Sequence, residues 1–592
     1  MSDNAHKNFR IVKYIAAVLL PVSIISTALS WYYSEKLRPT ITRELKDLVY
    51  TATDSLYRIE FSTIRTNWIT GNASLYDVNI IPDTMALRRL HIKQRSPNNV
   101  YTIRVKRLMI HGFHPITLYR KNKLHIDQLL FIRPDITMTN KQQGYNEDKP
   151  PRPRDNPYDY ISRYLAELQV SNINFRDIKF KYINNNGQAP IADSLSNLNI
   201  TLKDWLIDPS SGADPERLYL LKDVVLSMDD YLYRSPDSLY HIKMNKLDFR
   251  ASTGRLKIQH FSMVPKHPEM EFAKVAGYAK DRFNISFNEV NLSGIDFPLY
   301  ISKQELFAKE MQVNNGFVSV FNTNELPGRG EAKSGHFPHQ LLQTLQSVVT
   351  VQKLKLNNLD FSYSAYNKSS KQKGSLTFNN TTGTITNLTN SPKYKALNPV
   401  MSANLQSKFM NKGQLNVAFK FHLSAKNGFF NYKGNLRNMD GRLLNKITRP
   451  LAMLQIKSGH IDDLSFDIRA NEHLAIGKLD FRYHDLGVRL LEPSDESDRL
   501  VKKGLISFLA NNLVINSSNP DRQGKYVSAT INYKRQPRAS FFGFLHKSLS
   551  QGIRHSIGFT KEKEQEIKSQ IERFEKMKSD REERREHRRL RR

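Results

Sequence analysis

The chain has 592 residues, 39% of them hydrophobic and 10% aromatic, which is too much for one compact core. It contains no cysteine, which excludes disulfides, thiolate metal sites and cysteine nucleophiles and leaves the redox compartment open. With 89 basic against 57 acidic residues the formal charge is +32, so a polyanionic partner is expected, nucleic acid or an anionic membrane surface.

Residues 1–13 form a basic flank with Lys7, Arg10 and Lys13, and residues 14–33 then carry no charge. As a helix rising about 1.5 Å per residue, that stretch spans roughly 30 Å, the thickness of a bilayer's hydrocarbon core. Leu19, Leu20, Ile24 and Ile25 lie in its apolar middle, with Tyr14 at one end and Trp31, Tyr32 and Tyr33 at the other, in the manner of interfacial aromatic belts. A cleaved signal peptide is the alternative. Its apolar region normally runs about 7–15 residues and ends in small residues, so an uncleaved transmembrane helix is expected. Lys36, Arg38, Arg43 and Lys46 balance the flank on the far side, so charge alone does not choose the orientation. The anchor turns the polyanion reading toward lipid, because no helix-turn-helix, RNP-like or zinc-finger pattern supports nucleic acid.

After a helix over about 39–54, the pattern becomes period two. It is clearest at Leu415, Val417, Phe419, Phe421 and Leu423, and it recurs at Leu464/Phe466/Ile468, Leu479/Phe481/Tyr483 and Val527/Ala529/Ile531/Tyr533. Ile173 and Phe175 keep the step, which slips by one residue at Asp177 and resumes at Ile178/Phe180/Tyr182, as a β-bulge would make it do. The expected segments are a first β module (34–139), a linker (140–159), a second module (160–321), a linker or long loop (322–339) and a third module (340–535). Short helices over 160–168 and 340–351 follow the Pro/Gly-rich linkers, each before a similar strand, at 170–175 and 356–361, with an offset of 186 (358 − 172). A smaller echo pairs Ala73/Leu75/Val78/Ile80 before Pro82 with Leu256/Ile258/Phe261/Met263 before Pro265, each just after a glycine. Over 536–559, Leu545, Leu549, Ile553 and Ile557 recur every four residues behind Phe541, Phe542 and Phe544. This amphipathic helix either lies in a membrane interface or caps the open end of the sheet. The tail, 560–592, is a charged helix former, either solvated or touching anionic lipid.

No GxSxG elbow, P-loop, HExxH or GxGxxG occurs, so no enzyme, catalytic residue, metal site or cofactor is expected. The i, i+3 pairs His111/His114 and His336/His339 stand beside Gly or Pro in turn-like sequence, and Asp462/Asp463 are expected in a turn before the Leu464 strand. The resulting fold class is mainly β: an N-terminal transmembrane helix, an elongated antiparallel repeating sheet, short helices at module starts and a charged C-terminal helix. The apolar face of such a sheet either packs against a second sheet or lines a groove for acyl chains, with the residues at 415–423, 464–468, 479–483, 173 and 175 as the lining.

The segment 61–83 (FSTIRTNWITGNASLYDVNIIPD), the recurrent strands ending in Asn-Leu/Ile-x-Phe, and the glycine-led strands, helix and turn within 434–491 resemble AsmA-like proteins of the AsmA/TamB superfamily. The resemblance implies a protein anchored in the inner membrane of a diderm bacterium, with its bulk in the periplasm. It also implies a β-groove fold and a role in phospholipid transport or outer-membrane upkeep, and it supplies no catalytic residues. The alternative within the same envelope setting is a non-catalytic scaffold that binds other envelope proteins, and a third is a tethered glycan-binding or hydrolytic protein.

Overall fold

In a computed structural model, the described residues are most of 53–559 and scattered positions over 43–50 and 565–580; the larger segments outside the description are 1–42, 147–157, 328–334, 494–499, 503–514 and 581–592. The expected membrane helix at 14–33 and most of the charged tail therefore lie outside the described residues. Among the described residues no helix is long and apolar enough to cross a membrane.

The protein is mainly β. In chain order the elements begin with β1 (Tyr57–Glu60), β2 (Thr63–Asn67), β3 (Asn72–Pro82), α1 (Thr84–Ile92), β4 (Asn99–Phe113), β5 (Lys123–Asn140), β6 (Glu167–Asn184) and β7 (Ile191–Ile207). There follow β8 (Asp223–Arg234), β9 (Tyr240–Arg250), β10 (Arg255–Pro265), α2 (Glu269–Ala276), β11 (Arg282–Ser293), α3 (Phe297–Lys303), β12 (Leu306–Thr323) and α4 (Pro338–Gln343). Next come β13 (Val349–Asn367), β14 (Gln372–Thr389), α5 (Pro392–Leu397), β15 (Val400–Phe409), β16 (Gly413–His422), β17 (Phe430–Asp440) and α6 (Asn445–Ala452). The chain ends with β18 (Leu454–Ala470), β19 (Leu474–Pro493), β20 (Leu500–Lys502), β21 (Ser528–Lys534) and α7 (Phe541–Ser556). They fall into two compact units, one of Met1–Tyr233, Ile242–Phe261 and Val290–Lys309, the other of Arg234–His241, Ser262–Glu289 and Glu310–Arg592.

In the first unit, β3 pairs antiparallel with β1, β2 and β4, and β4 pairs antiparallel with β5. The expectation of a wholly antiparallel sheet then fails, because β5 and β6 run parallel from Lys123↔Glu167 to Asn140↔Asn184. A parallel return needs a crossover of a dozen or more residues. The Pro-rich stretch after Asn140 is that crossover, with Ile161 and Leu165 buried on its way back. In the second unit Asn357 and Asn358 donate to Asn314 and Asn315 at 2.7 and 2.8 Å, an in-step pairing that only parallel neighbours give. The second linker has the same job. Both following helices are shorter than expected: Leu168 already belongs to β6, and α4 ends at Gln343 with Val349 opening β13. From β13 to β19 each strand pairs antiparallel with the next, and β21 adds to β19.

The slip at Asp177 is a bulge. Asp177 has φ +57°, and the β6–β7 register shifts between Phe175 and Ile178. Asn358 has φ +56° at the corresponding shift between Leu356 and Leu359 in β13. Asp and Asn tolerate this left-handed conformation better than other non-glycine residues, which explains the recurrent polar residue before Ile/Leu-x-Phe. The two bulges stand 181 residues apart (358 − 177), so the expected offset of 186 is corrected: the strand at 170–175 imitates the one at 356–361 but lies before its own bulge. Other positive-φ positions repeat at nearly the same interval: Ser55 and Ser238, Asp77 and His260 (both 183 apart), Arg133 and Asn315 (182 apart). The echo at Gly71 and Gly254 is part of this repeat. Both glycines have positive φ, and a Cβ on either would stand 2.8 Å from a backbone oxygen, of Phe113 or of Ile295.

Candidate functional site: two apolar sheet faces

In the first unit, register turns alternation into rows. Ile59 pairs with Ile80, Ile80 with Ile103, Ile103 with Ile136 and Ile136 with Phe180. A second row runs Ile64, Leu75, Leu108, Phe131, Phe175, Ile200 and Leu226. The Phe131 and Phe175 rings stack with centroids 4.6 Å apart. At about 4.8 Å per strand, the longer row extends roughly 30 Å. The bulges keep apolar residues on one face, since each compensates for an alternation that would otherwise turn its second half outward.

This face closes only in part. Val49, Ile161 and Leu165 join its cluster from the connecting segments, as do Leu87 and Leu90 of α1. Between the two rows a cavity of about 30 Å³ is lined by Ile59, Ile80, Ile103, Phe131, Ile136 and Phe175 among others, all apolar. That volume holds about one water, so the feature is a shallow trough. Ile103, Ile136 and Phe175 remain half-buried along it. The reverse side is polar at the same positions: Thr102, Arg104, Asp135 and Thr137 cluster there.

The second unit builds the same kind of rows and then covers them. Met401 pairs with Phe421, Phe421 with Phe430, Phe430 with Ala470 and Ala470 with Ala475. Beside that row run Ala403, Phe419, Tyr432, Ile468, Gly477 and Ile531. Helix α7 lies on this face. Its Ser540 cap accepts from Gly543 N, Phe544 is 1% exposed, and Phe541 stands 5.4 Å from the Phe430 ring. Ser548 shares a 2.7 Å hydrogen bond with the buried Tyr432 phenol, and burial pushes that phenol's pKa upward. A Cβ at Gly552 would lie 3.0 Å from Leu479 and 3.1 Å from Ile531, so the absent side chain lets the helix approach closely. Phe337 stacks on Phe544 and carries the Arg535 guanidinium 4.5 Å above its ring. Next to it His339, 1% exposed, packs 5.0 Å from the Phe421 ring, and desolvation lowers its pKa to about 4.

No known protein family and no curated protein matches the chain. Geometry alone therefore places each expected lining residue. Ile173 is buried and Phe175 half-buried in the first unit. In the second, Phe421, Leu423, Leu464, Phe466, Ile468, Leu479, Phe481 and Tyr483 are buried, while Leu415, Val417 and Phe419 are half-buried in the same cluster. Of the helix candidates, Phe541, Leu545, Leu549, Ile553 and Ile557 pack against that cluster and Phe542 is 50% exposed.

Two details differ from expectation. Asp462 and Asp463 sit inside β18, not in a turn before it, because that strand starts eight residues earlier at Leu454. They have separate partners: Asp462 meets His484 at 3.0 Å, and Asp463 meets Arg437 at 2.7 Å. Among the described residues no group of three or more His, Asp and Glu side chains could hold a metal ion. Sequence reasoning missed two things: the burial of His339, and, having placed the helix at 536–559 either in a membrane interface or at the sheet's open end, its position on the sheet face. The spacing of Ser548, Gly552 and Ser556, every fourth residue on one helix face and all buried, is the signal that could have revealed the second.

Proposed function

We propose that the first unit's trough holds the acyl chains of membrane lipid, with the chain anchored by 14–33 in a bacterial inner membrane and its bulk in the periplasm. The resemblance to AsmA-like proteins motivates the setting, and lipid homeostasis of the outer membrane is the role it suggests. The observation that carries the reading is the row Ile59–Ile80–Ile103–Ile136, apolar across four strands, buried at Ile59 and Ile80 and half-open at Ile103 and Ile136, with a polar reverse face. An apolar surface left open along a sheet recognises extended hydrocarbon without demanding directional hydrogen bonds. No catalytic step is needed for that activity.

A photoreactive amino acid at Ile103 tests it, with the neighbouring Arg104 on the reverse face as control. The reading expects lipid adducts at 103 and none at 104; equal labelling, or protein adducts at 103, would overturn it. For the second unit a structural role is favoured, because α7 and Phe337 already cover its face. There a photoreactive group at Phe419 is expected to crosslink to α7, which stands 6.3 Å away at Phe541.

A further inference from the structure

Helix α1 has two opposed faces. Ala86 is 3% exposed, and Leu87 and Leu90 pack against the first unit's core, so the helix is fixed in rotation. Asp83 caps it, its carboxylate accepting from Ala86 N at 2.8 Å. The outward face then presents Met85, Arg88, Arg89 and Ile92, at i, i+3, i+4 and i+7. Met85 is 72% exposed and Ile92 75%, values at which a soluble helix ordinarily carries polar residues. Lys93 and Arg95 follow, also exposed, and residues 84–95 include no acidic residue. Arg88, Arg89, Lys93 and Arg95 form no ion pair with any described residue.

The corresponding helix of the second repeat is built otherwise. Helix α2 carries Glu269 and Glu271 in its first turn, and Glu269 is held by Lys373 at 2.6 Å. The basic, apolar stripe is thus particular to α1 and is not required by the repeat.

We infer that the outward face of α1 docks on an anionic membrane surface, Met85 and Ile92 entering the headgroup region while Arg88, Arg89, Lys93 and Arg95 meet lipid phosphates. Charge and apolarity on one helix face are what such a surface selects. Position agrees. Asp83 N donates to Leu56 O at 2.8 Å, so α1 starts beside the point where the chain enters the sheet, 23 residues (56 − 33) after the uncharged stretch. The inference rests on the reading of 14–33 as a membrane anchor.

The absence of cysteine makes the test direct. The full chain, carrying Ile92→Cys labelled with an environment-sensitive fluorophore, is reconstituted into vesicles of phosphatidylglycerol and phosphatidylethanolamine, or of phosphatidylcholine alone, each containing brominated lipid. Lys121→Cys, exposed at the other end of the strands, is the control. Expected is a blue shift with quenching at 92 in the anionic vesicles, loss of both in Arg88→Glu/Arg89→Glu, and neither at 121. Flotation of the same vesicles reports the anchor. A chain that floats without quenching at 92 overturns the docking alone; a chain that does not float overturns the docking and the anchor together. A blue shift that persists in lipid-free detergent solution assigns this face to a protein contact and overturns the proposal.

Discussion

The trough of the first unit and the covered face of the second are built by one rule, alternating apolar residues aligned across strands, yet α7 lies across the rows of the second while α1 and the connecting segments close the first only in part. Phe430 and Ile468 are fully buried there, whereas Ile103 and Ile136 stay half-open. Alternation therefore specifies which face is apolar and says nothing of what will cover it. Cover depends on a segment remote in sequence: Ser548 reaches Tyr432 across 116 residues.

The sharpest way to break the comparison is to place a charge in both faces. Phe430→Asp, which sets a carboxylate in a closed aromatic cluster, is expected to cost about 3–5 kcal/mol and to unfold the second unit in a denaturant titration. Phe175→Asp, on the open trough, should cost about 1–2 kcal/mol, because water reaches it. Equal losses would mean that the two faces are equally closed.

Acid should discriminate next. His339 is neutral in the fold, with a pKa of about 4 against 6.5 for the free side chain. Its contribution is fully present above pH 6.5 and is lost as pH falls from there toward 4, while the unfolded chain takes up the proton. The limit is about 3 kcal/mol by linkage. Thermal melts should show the second unit losing stability over that window, and His339→Phe should flatten the slope. A slope unchanged in that variant would contradict the assignment.

The bulges should respond alike in both units. Asp177→Val and Asn358→Val put a β-branched residue at φ +57° and +56° and should each cost about 1–2 kcal/mol, with glycine at either position near neutral. Smallest is Ser548→Ala, expected to cost about 1 kcal/mol from the lost bond to the buried Tyr432. Double-mutant coupling with Tyr432→Phe checks that the loss belongs to this pair.

Strand positions and face assignment were readable from sequence because they depend on neighbours two residues apart. Leu415 to Phe421 and the slip at Asp177 fall where the residues indicate, while Leu423 lies just past the end of β16. The parallel β5–β6 pair was not readable, because nothing local distinguishes a crossover from a loop, and the Pro-rich linker suits both. Helix ends were misplaced for a related reason: Val349 continues the four-residue spacing of Leu341 and Leu345 but opens β13 together with Val351, where β-branched residues pack better. His339 gave no signal, since its burial comes from Phe421 and Phe430, which are distant in the chain. The stripe on α1 was readable in Met85, Arg88, Arg89 and Ile92, but only once Leu87 and Leu90 are known to face inward.

The central claim is that the first face stays part-open along Ile103 and Ile136 and the second is closed, and thiol accessibility measures it in a chain that has no other cysteine. Ile136→Cys in the trough and Ile468→Cys beneath α7 are exposed to a bulky maleimide under native conditions, with and without phospholipid. The account predicts rapid labelling at 136 that phospholipid suppresses, and labelling at 468 only at the rate of unfolding. Protection at both sites without lipid, or labelling at 136 indifferent to lipid, would contradict it.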